Sequence, residues 1–320
     1  MAPSTPPRRE IIELLSVDLL DQHRPLVNRL RNLAKSLNLE FGWHYLLDLV
    51  WIINQLGDVK GKHIMDAGAG TGLLQWYLAD QGANVISVDR ISRAWLPIRF
   101  RNRFHVKGLR RQDLEPTASV FQRNFRGPGS PRVRIVRQLQ DIIGAMEWRR
   151  SPGRVTIYNQ DLQNLSDIPS NSLDAVVAVS ALEHNSPENL ERVVAELMRV
   201  LKPGGILAAS LVAARDQDWW HEPSSGWCYT ENSLRNLFHL PPSTPSNYDR
   251  YDAFFQGIRE SRELRDHLAR FYYQSGNNGM PWGRWDPQYI PVGVCKVKEA
   301  VRIEQAKPEI DVFSAGAVVE

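Results

Sequence analysis

HIMDAGAGTG (His63–Gly72) ends an apolar run on an acid, Asp66, and then places glycines at alternate positions, Gly68, Gly70 and Gly72. A tight turn accounts for one glycine. Three within five residues predict a backbone that closely approaches something other than protein, because a Cβ would stand in the way. KHIMDAGAG reads as a buried strand entering a glycine loop, and LLQWYLADQG (Leu73–Gly82) as a helix stopped by glycine. NVISVDR (Asn84–Arg90) is a second strand, closing on Asp89, 19 residues after Gly70.

The same alternation continues outward. VTIYNQD (Val155–Asp161), LDAVVAVSAL (Leu173–Leu182) and ILAASLVA (Ile206–Ala213) read as strands, with a helix over about Pro187–Leu201 and a turn at KPGG (Lys202–Gly205). Upstream, leucines and isoleucines at three- and four-residue spacing from Arg9 to Asn38 predict two amphipathic helices broken at Pro25, and WHYLLDLVWIINQLG (Trp43–Gly57) predicts a third. VGVCKVK (Val292–Lys298) adds a final strand, expected at an edge. Strands alternating with helices predict an α/β fold, a mostly parallel sheet with helices on both faces.

The 320 residues suit one large α/β domain with extensions, and a net charge of +3 says little about partners. Two cysteines, Cys228 and Cys295, are too few for a disulfide framework or a structural zinc site, so no metal is expected. The N-terminal MAPSTPPRRE lacks the apolar core of a secretion signal, and no apolar run reaches the roughly 18–20 residues that cross a bilayer. The expectation is a cytoplasmic protein, with peripheral membrane contact left open. Residues 90–154 stand apart, with 16 Arg or Lys against 4 Asp or Glu, so the remaining chain is net acidic. A plain crossover needs about 10–30 residues, so this connection holds an insertion.

Ligands of open parallel sheets bind beyond the carboxyl ends of the strands, where strand order reverses. A carboxylate at Asp89 can accept from both hydroxyls of a ribose, which points to an adenosine-type ligand. The dinucleotide pattern G-x-G-x-x-G requires glycine where Leu73 stands, and no G-K-[ST] follows for a nucleoside triphosphate. Asp66 suits an ammonium group and is awkward beside a pyrophosphate. These features favour S-adenosylmethionine over NAD.

With these blocks in order the sequence resembles the class I S-adenosylmethionine-dependent methyltransferases of the bacterial small-molecule type, over about residues 60–215. IMDAGAGTG resembles the first motif, VISVD the acidic end of the second strand, YNQDLQNL the adenine-contacting block, and LDAVVAVSALEHN with ELMRVLKPGGILAAS the fourth strand, its helix and the fifth strand. The resemblance implies a Rossmann-like seven-stranded sheet. It implies cofactor contacts from Asp66, Ala67, Gly68, Gly70, Thr71, Gly72, Asp89, Arg90 and Ser180, with Asp161 at the adenine amino group, Leu162 at its ring edge, and S-adenosylhomocysteine as product. An aromatic segment often closes such sites, here Trp43, His44 and Tyr45, with helix core as the alternative. The implied division is a disordered tail (1–8), an N-terminal helical lid (9–57), the cofactor-binding core (58–215) with its insertion (about 91–154), a substrate cap with the final strand (216–300) and a tail (301–320).

Methyl transfer is an in-line displacement, so alignment and exclusion of water dominate, and a hydroxyl acceptor also needs a base. SALEHN ends the fourth strand and brings Glu183 and His184 to the reacting end. His184, with an ordinary pKa of about 6.5, can act as that base, or the pair only shapes the pocket. His221 in DWWHEP is the alternative base. Aromatics in DWWHEPSSGWCY (Asp216–Tyr229) offer a stacking face for a planar or sugar substrate, or packing, and GMPWGRWDPQY (Gly279–Tyr289) reads as a pocket-edge loop with the same two readings. WCYTENSLRNLF (Trp227–Phe238) sits where related enzymes cover the pocket with a helix. The basic insertion reads as a solvated face, a site for an anionic small substrate, or a footprint for RNA or an anionic membrane. No N/D-P-P-Y/F block follows the fourth strand, which disfavours a nucleic-acid base as substrate. The expected reaction is methylation of a small-molecule oxygen, sugar-like or natural-product-like. An RNA or protein methyltransferase and a non-catalytic cofactor-fold module are the alternatives.

Overall fold

The computed structural model describes residues 9–126, 130–132, 134–136, 139, 150–273, 280 and 283–299. The expected tails at 1–8 and 301–320, most of the insertion beyond Arg126, and residues 279, 281 and 282 of the Gly279–Tyr289 loop lie outside them.

The strands are β1 (Ile11–Leu14), β2 (His63–Ala67), β3 (Asn84–Asp89), β4 (His105–Gly108), β5 (Arg154–Asn159), β6 (Leu173–Val179), β7 (Leu201–Ala213), β8 (Trp219–His221), β9 (Gly226–Tyr229) and β10 (Ile290–Val297). They form one ten-stranded sheet in the order β1-β10-β7-β6-β2-β3-β5-β4, with β9 pairing both β7 and β8. The run from β4 to β7 is parallel throughout, while β10 is antiparallel to β7 and β1 antiparallel to β10. The expected seven-strand core is therefore present from β5 to β1, extended by β4, β8 and β9.

Strand order reverses between β2 and β6: β2 continues to β3 on one side, while the chain returns on the other side at β6. That crevice is where an open parallel sheet binds ligands. The central strands are buried apolar runs. Val176, Val177 and Ala178 in β6 and Leu207, Ala208 and Ala209 in β7 are fully covered, as a parallel sheet shielded by helices requires.

Helix α1 covers Asp18–Gln22, α2 Arg24–Leu37 and α3 Tyr45–Leu56. In α2, Val27, Leu30, Leu33, Ala34 and Leu37 form the buried stripe and Pro25 occupies the first turn, where its missing N–H costs nothing. Helix α3 packs across β6, β7 and β10, and α4 (Leu74–Asp80) packs against β3 and β5. Helices α5 (Ile98–Arg103) and α6 (Thr117–Arg126) flank β4 within the insertion. After β6 come α7 (Pro187–Val200), capped by Ser186, then α8 (Glu231–Leu237), α9 (Tyr251–Glu260) and α10 (Arg262–Asp266).

Three expectations change. The segment expected to be wholly helical from Arg9 begins as strand β1, whose burial alternates residue by residue and whose Glu13 accepts from the indole N–H of Trp51 at 2.8 Å. β10 is interior rather than an edge, because β1 covers its outer side. The helix expected over the pocket, α8, packs on α7 instead.

Candidate functional site

A cavity of about 1010 Å³ opens at the carboxyl ends of β2, β3 and β6. Its size is at the upper end of small-molecule sites. Asp66, Gly68, Gly70, Thr71, Gly72, Asp89, Arg90, Asp161 and Leu162 line it at and after the ends of β2, β3 and β5, and Tyr45, Ser180, Glu183 and His184 line it from α3 and after β6. Of the cofactor contacts expected, only Ala67 is absent from the wall: it is fully buried within β2, paired with Val88. His221 is also off the wall. It is 4% exposed, with Nδ1 2.6 Å from the hydroxyl of Ser224, and its ring lies 5.1 Å from that of Tyr289, which does line the cavity.

At two of the three glycines the close neighbour is protein, contrary to expectation: at Gly72 a Cβ would lie 3.0 Å from the carbonyl oxygen of Ala69. Gly68 and Gly70 hold φ at +72° and +48°, the left-handed region that disfavours a side chain. At Gly68 the close neighbour is protein, since a Cβ there would lie 2.4 Å from the Cβ of Ala181. At Gly70 the nearest atom to such a Cβ is Asp89 Oδ2, 3.8 Å away.

Asp89 builds the loop as well as facing the cavity. Its Oδ2 accepts from the N–H of Gly70 and its Oδ1 from that of Ile91, both at 2.7 Å. Two residues missed in the sequence complete the loop. Fully buried Gln75 donates to the carbonyls of Gly72 (3.1 Å) and Gly70 (3.3 Å) and accepts from the hydroxyl of Ser87 (2.6 Å). Arg93, 6% exposed, donates to the carbonyls of Gly70 (3.2 Å), Ser87 (2.8 Å) and Tyr158 (3.1 Å), and to the Ser87 hydroxyl. Arg93 carries no local signal, because its partners come from the glycine loop, β3 and β5.

Burial pushes the Asp66 carboxyl up to about 7, with Arg93 and the backbone N–H of Gln75 pulling the other way. Burial likewise lowers Arg93, against the pull of Asp89 and Asp66. A buried cation under the loop thus balances two acids at its ligand face.

Asp161 lines the cavity, and its Oδ1 also accepts from Gln163 N–H at 2.8 Å, an Asx turn. Leu162 and the 68% exposed Ile91 offer apolar surface on the same wall.

Just after β6, Ser180 sits at φ +44°, an unusual backbone for a non-glycine residue. Its hydroxyl donates to Glu183 Oε1, while Glu183 Oε2 is buried without a hydrogen-bond partner. Burial raises Glu183, partly offset by His184. His184 is exposed, and its Nδ1 donates to the Ser225 carbonyl at 2.8 Å. The hydroxyl of Tyr45 is raised by burial and by the charges of Glu183 and Asp48. His44, next to it, lines the cavity with Nδ1 2.8 Å from Oδ2 of the fully buried Asp48.

The aromatic segments divide. Trp43 is buried in the turn before α3, its indole 3.3 Å from the Tyr289 hydroxyl, whereas His44 and Tyr45 face the cavity. From Asp216–Tyr229, Pro223, Ser224 and Ser225 reach the wall, but Trp219, Trp220, Trp227 and Tyr229 do not, which removes the stacking face expected there. The described part of the basic insertion spends arginines internally. Arg101 donates to the carbonyls of Leu96 (2.8 Å), Ala94 (2.9 Å) and Glu115, and Arg110 pairs with Asp113 and lies over the Tyr158 ring. Among the described residues no helix is long and apolar enough to cross a membrane, and no group of acidic, His or Cys side chains is arranged to hold a metal.

A family model described as a methyltransferase domain matches residues 139–209, which spans β5 to β7 but not the glycine loop. The S-adenosyl-L-methionine-dependent Diels-Alderase iccD of Talaromyces variabilis is 26% identical over 224 residues, 67% of this chain and 60% of that protein. The chain thus spans less than two thirds of that relative's length. Among solved structures, the [4+2]-cyclase SpnF is 16% identical, with 91% of this chain and 99% of that chain covered at a TM-score of 0.45. The 1,6-didemethyltoxoflavin-N1-methyltransferase of Burkholderia thailandensis is 14% identical, with 88% and 86% covered at 0.42. The strand order, the crevice at its reversal and the domain match over residues 139–209 give the chain a Rossmann-like α/β fold similar to that of S-adenosylmethionine-dependent methyltransferases.

Proposed function

We propose that the cavity binds S-adenosylmethionine along the glycine loop and that the chain moves its methyl group to an oxygen of a small molecule held at the Glu183 end. The observation that carries this reading is one cavity lined both by the glycine loop with Asp89 and by Glu183 with His44 and His184. The residues fit the cofactor. Asp66 offers a buried carboxyl to an ammonium group, Asp89 keeps free lone pairs for ribose hydroxyls beside its two loop bonds, and Ile91 and Leu162 suit the faces of adenine. When bound, the cofactor supplies a methyl group activated by its sulfonium. The chain aligns the acceptor and excludes water, and a histidine at the acceptor end takes the proton.

The internal use of Arg93, Arg101 and Arg110 supports a small acceptor over RNA, since these charges are not offered to a polyanion. Two buried thiols, Cys228 and Cys295, go with a cytoplasmic setting. The test is calorimetry with S-adenosylmethionine and S-adenosylhomocysteine on the wild type and Asp89→Asn. A loss of tenfold or more in affinity, about 1.4 kcal/mol, is expected in the variant; absence of wild-type binding would sink the reading.

The match to the Diels-Alderase favours a second reading, in which the cofactor is held unconsumed while the acceptor end promotes a cyclisation. Mass spectrometry separates the two: methyl transfer adds about 14 Da and yields S-adenosylhomocysteine one for one, and cyclisation changes neither mass nor cofactor.

A further inference from the structure

The end of α3 that meets the cavity holds a histidine–carboxylate pair. His44 occupies the N-cap position of α3, but its side chain makes no capping bond. Instead Nδ1 lies 2.8 Å from Oδ2 of Asp48, one helical turn on, which the i, i+4 spacing places on the same face. Asp48 is fully buried; burial raises its carboxyl, and the His44 ring and the Ser210 hydroxyl pull it back down. A buried carboxylate accepts from Nδ1–H, so the free electron pair of the imidazole is left on Nε2. A base oriented by a third group in this way is the general arrangement for activating a hydroxyl.

The surroundings direct that nitrogen. Trp43, Tyr45 and Tyr289 surround the ring with centroids 4.7, 5.3 and 5.7 Å away, and none of them carries a charge at neutral pH. Glu183 faces it from the end of β6, near enough for His44 to act on its charge. His221 lies beyond Tyr289. His44, Tyr289 and Glu183 all line the cavity.

We infer that His44, oriented by Asp48, is the general base of the reaction. This rests on the methyl-transfer reading above. As the acceptor oxygen bonds the methyl carbon and the carbon–sulfur bond breaks, the oxygen's proton passes to His44 Nε2, leaving an imidazolium paired with the Asp48 carboxylate. His184 is less suited, because its Nδ1 partner is a neutral carbonyl, which stabilises an imidazolium less than a carboxylate does.

The experiment uses the full chain with ¹⁵N-labelled histidine, followed by NMR from pH 6 to 8.5, and diethyl pyrocarbonate as a small electrophile for accessible neutral imidazole nitrogens. His44 is assigned by the signal lost in His44→Gln. The expected result is an Nδ1–H tautomer with a bare Nε2, and carbethoxylation of His44 through the cavity that its ring lines, although only 2% of the residue is exposed. Asp48→Leu should shift His44 toward the Nε2–H tautomer. If that variant does not fold, the wild-type tautomer and labelling decide alone. A proton on Nε2, a doubly protonated ring up to pH 8, or an unlabelled His44 overturns the assignment, the last because a purely structural pair would turn Nε2 into protein. Calorimetry with S-adenosylhomocysteine on the same samples separates the failures. Binding with the wrong tautomer removes the base alone, and no binding removes the methyl-transfer reading beneath it.

Discussion

Asp66 should couple cofactor binding to a proton. Burial holds its carboxyl at about 7 in the free chain, so about nine in ten molecules carry the proton at pH 6. A ligand ammonium beside it requires the carboxylate, so binding at pH 6 should release close to one proton. Apparent affinity should then weaken about 25-fold between pH 7.5 and 5.5, the ratio that a pKa of about 7 dictates. Titrations of S-adenosylhomocysteine at pH 6 in buffers of different ionisation enthalpy count the proton directly, and Asp66→Asn isolates the carboxyl from the cavity histidines.

Stability should move in the opposite direction. A folded pKa raised above the ordinary 3.8 contributes stability that is full below about pH 4 and lost as pH rises through about 7. The displacement is worth about 4 kcal/mol, at about 1.4 kcal/mol per tenfold change. Asp66→Asn, uncharged at every pH, should therefore melt higher than wild type at pH 8 while binding more weakly. Heats at pH 6 that do not depend on buffer, or a variant with the same pH slope as the wild type, would refute the reasoning.

Further outcomes follow from the same geometry. Arg93→Met strands the carbonyls of Gly70, Ser87 and Tyr158 and leaves Asp66 without its cation, so denaturant melts should show a loss of about 3–5 kcal/mol; a loss below about 1 kcal/mol would mean that the loop does not depend on it. Gly68→Ala forces a side chain into a left-handed backbone and against Ala181, and cofactor affinity should fall at least tenfold by calorimetry. Trp220→Ser changes a 40% exposed ring that does not line the cavity, so binding of S-adenosylhomocysteine should stay within twofold of wild type. A larger drop would restore that tryptophan to the site.

Much of the site was readable because its signals are local. The positive φ of Gly68 and Gly70 restricts those positions to glycine, and Asp89 follows at the end of the next strand, so both appear as spacing along one βαβ unit. The strands around them also announce themselves, since a strand covered on both faces must be a continuous apolar run. Pro25 at the start of α2 and Gly57 at the end of α3 mark helix ends through their own backbone restrictions.

What the tertiary structure decided concerns groups whose partners are distant in sequence. Ile11–Leu14 suits a helix or a strand equally by composition, and the open edge of β10, nearly the whole chain away, makes it a strand. The arginines of the insertion read as a charged surface until Arg93 meets the carbonyls of two other strands and the loop. Aromatic content could not separate Trp220, outside the cavity, from Tyr289, inside it. His44 and Asp48 stand one helical turn apart in the sequence, but only the packing of α3 on the sheet buries the carboxylate and turns the imidazole to the cavity. Backbone restrictions act through a residue's own chemistry and are legible in its letter, whereas burial and pairing depend on which surfaces the fold brings together.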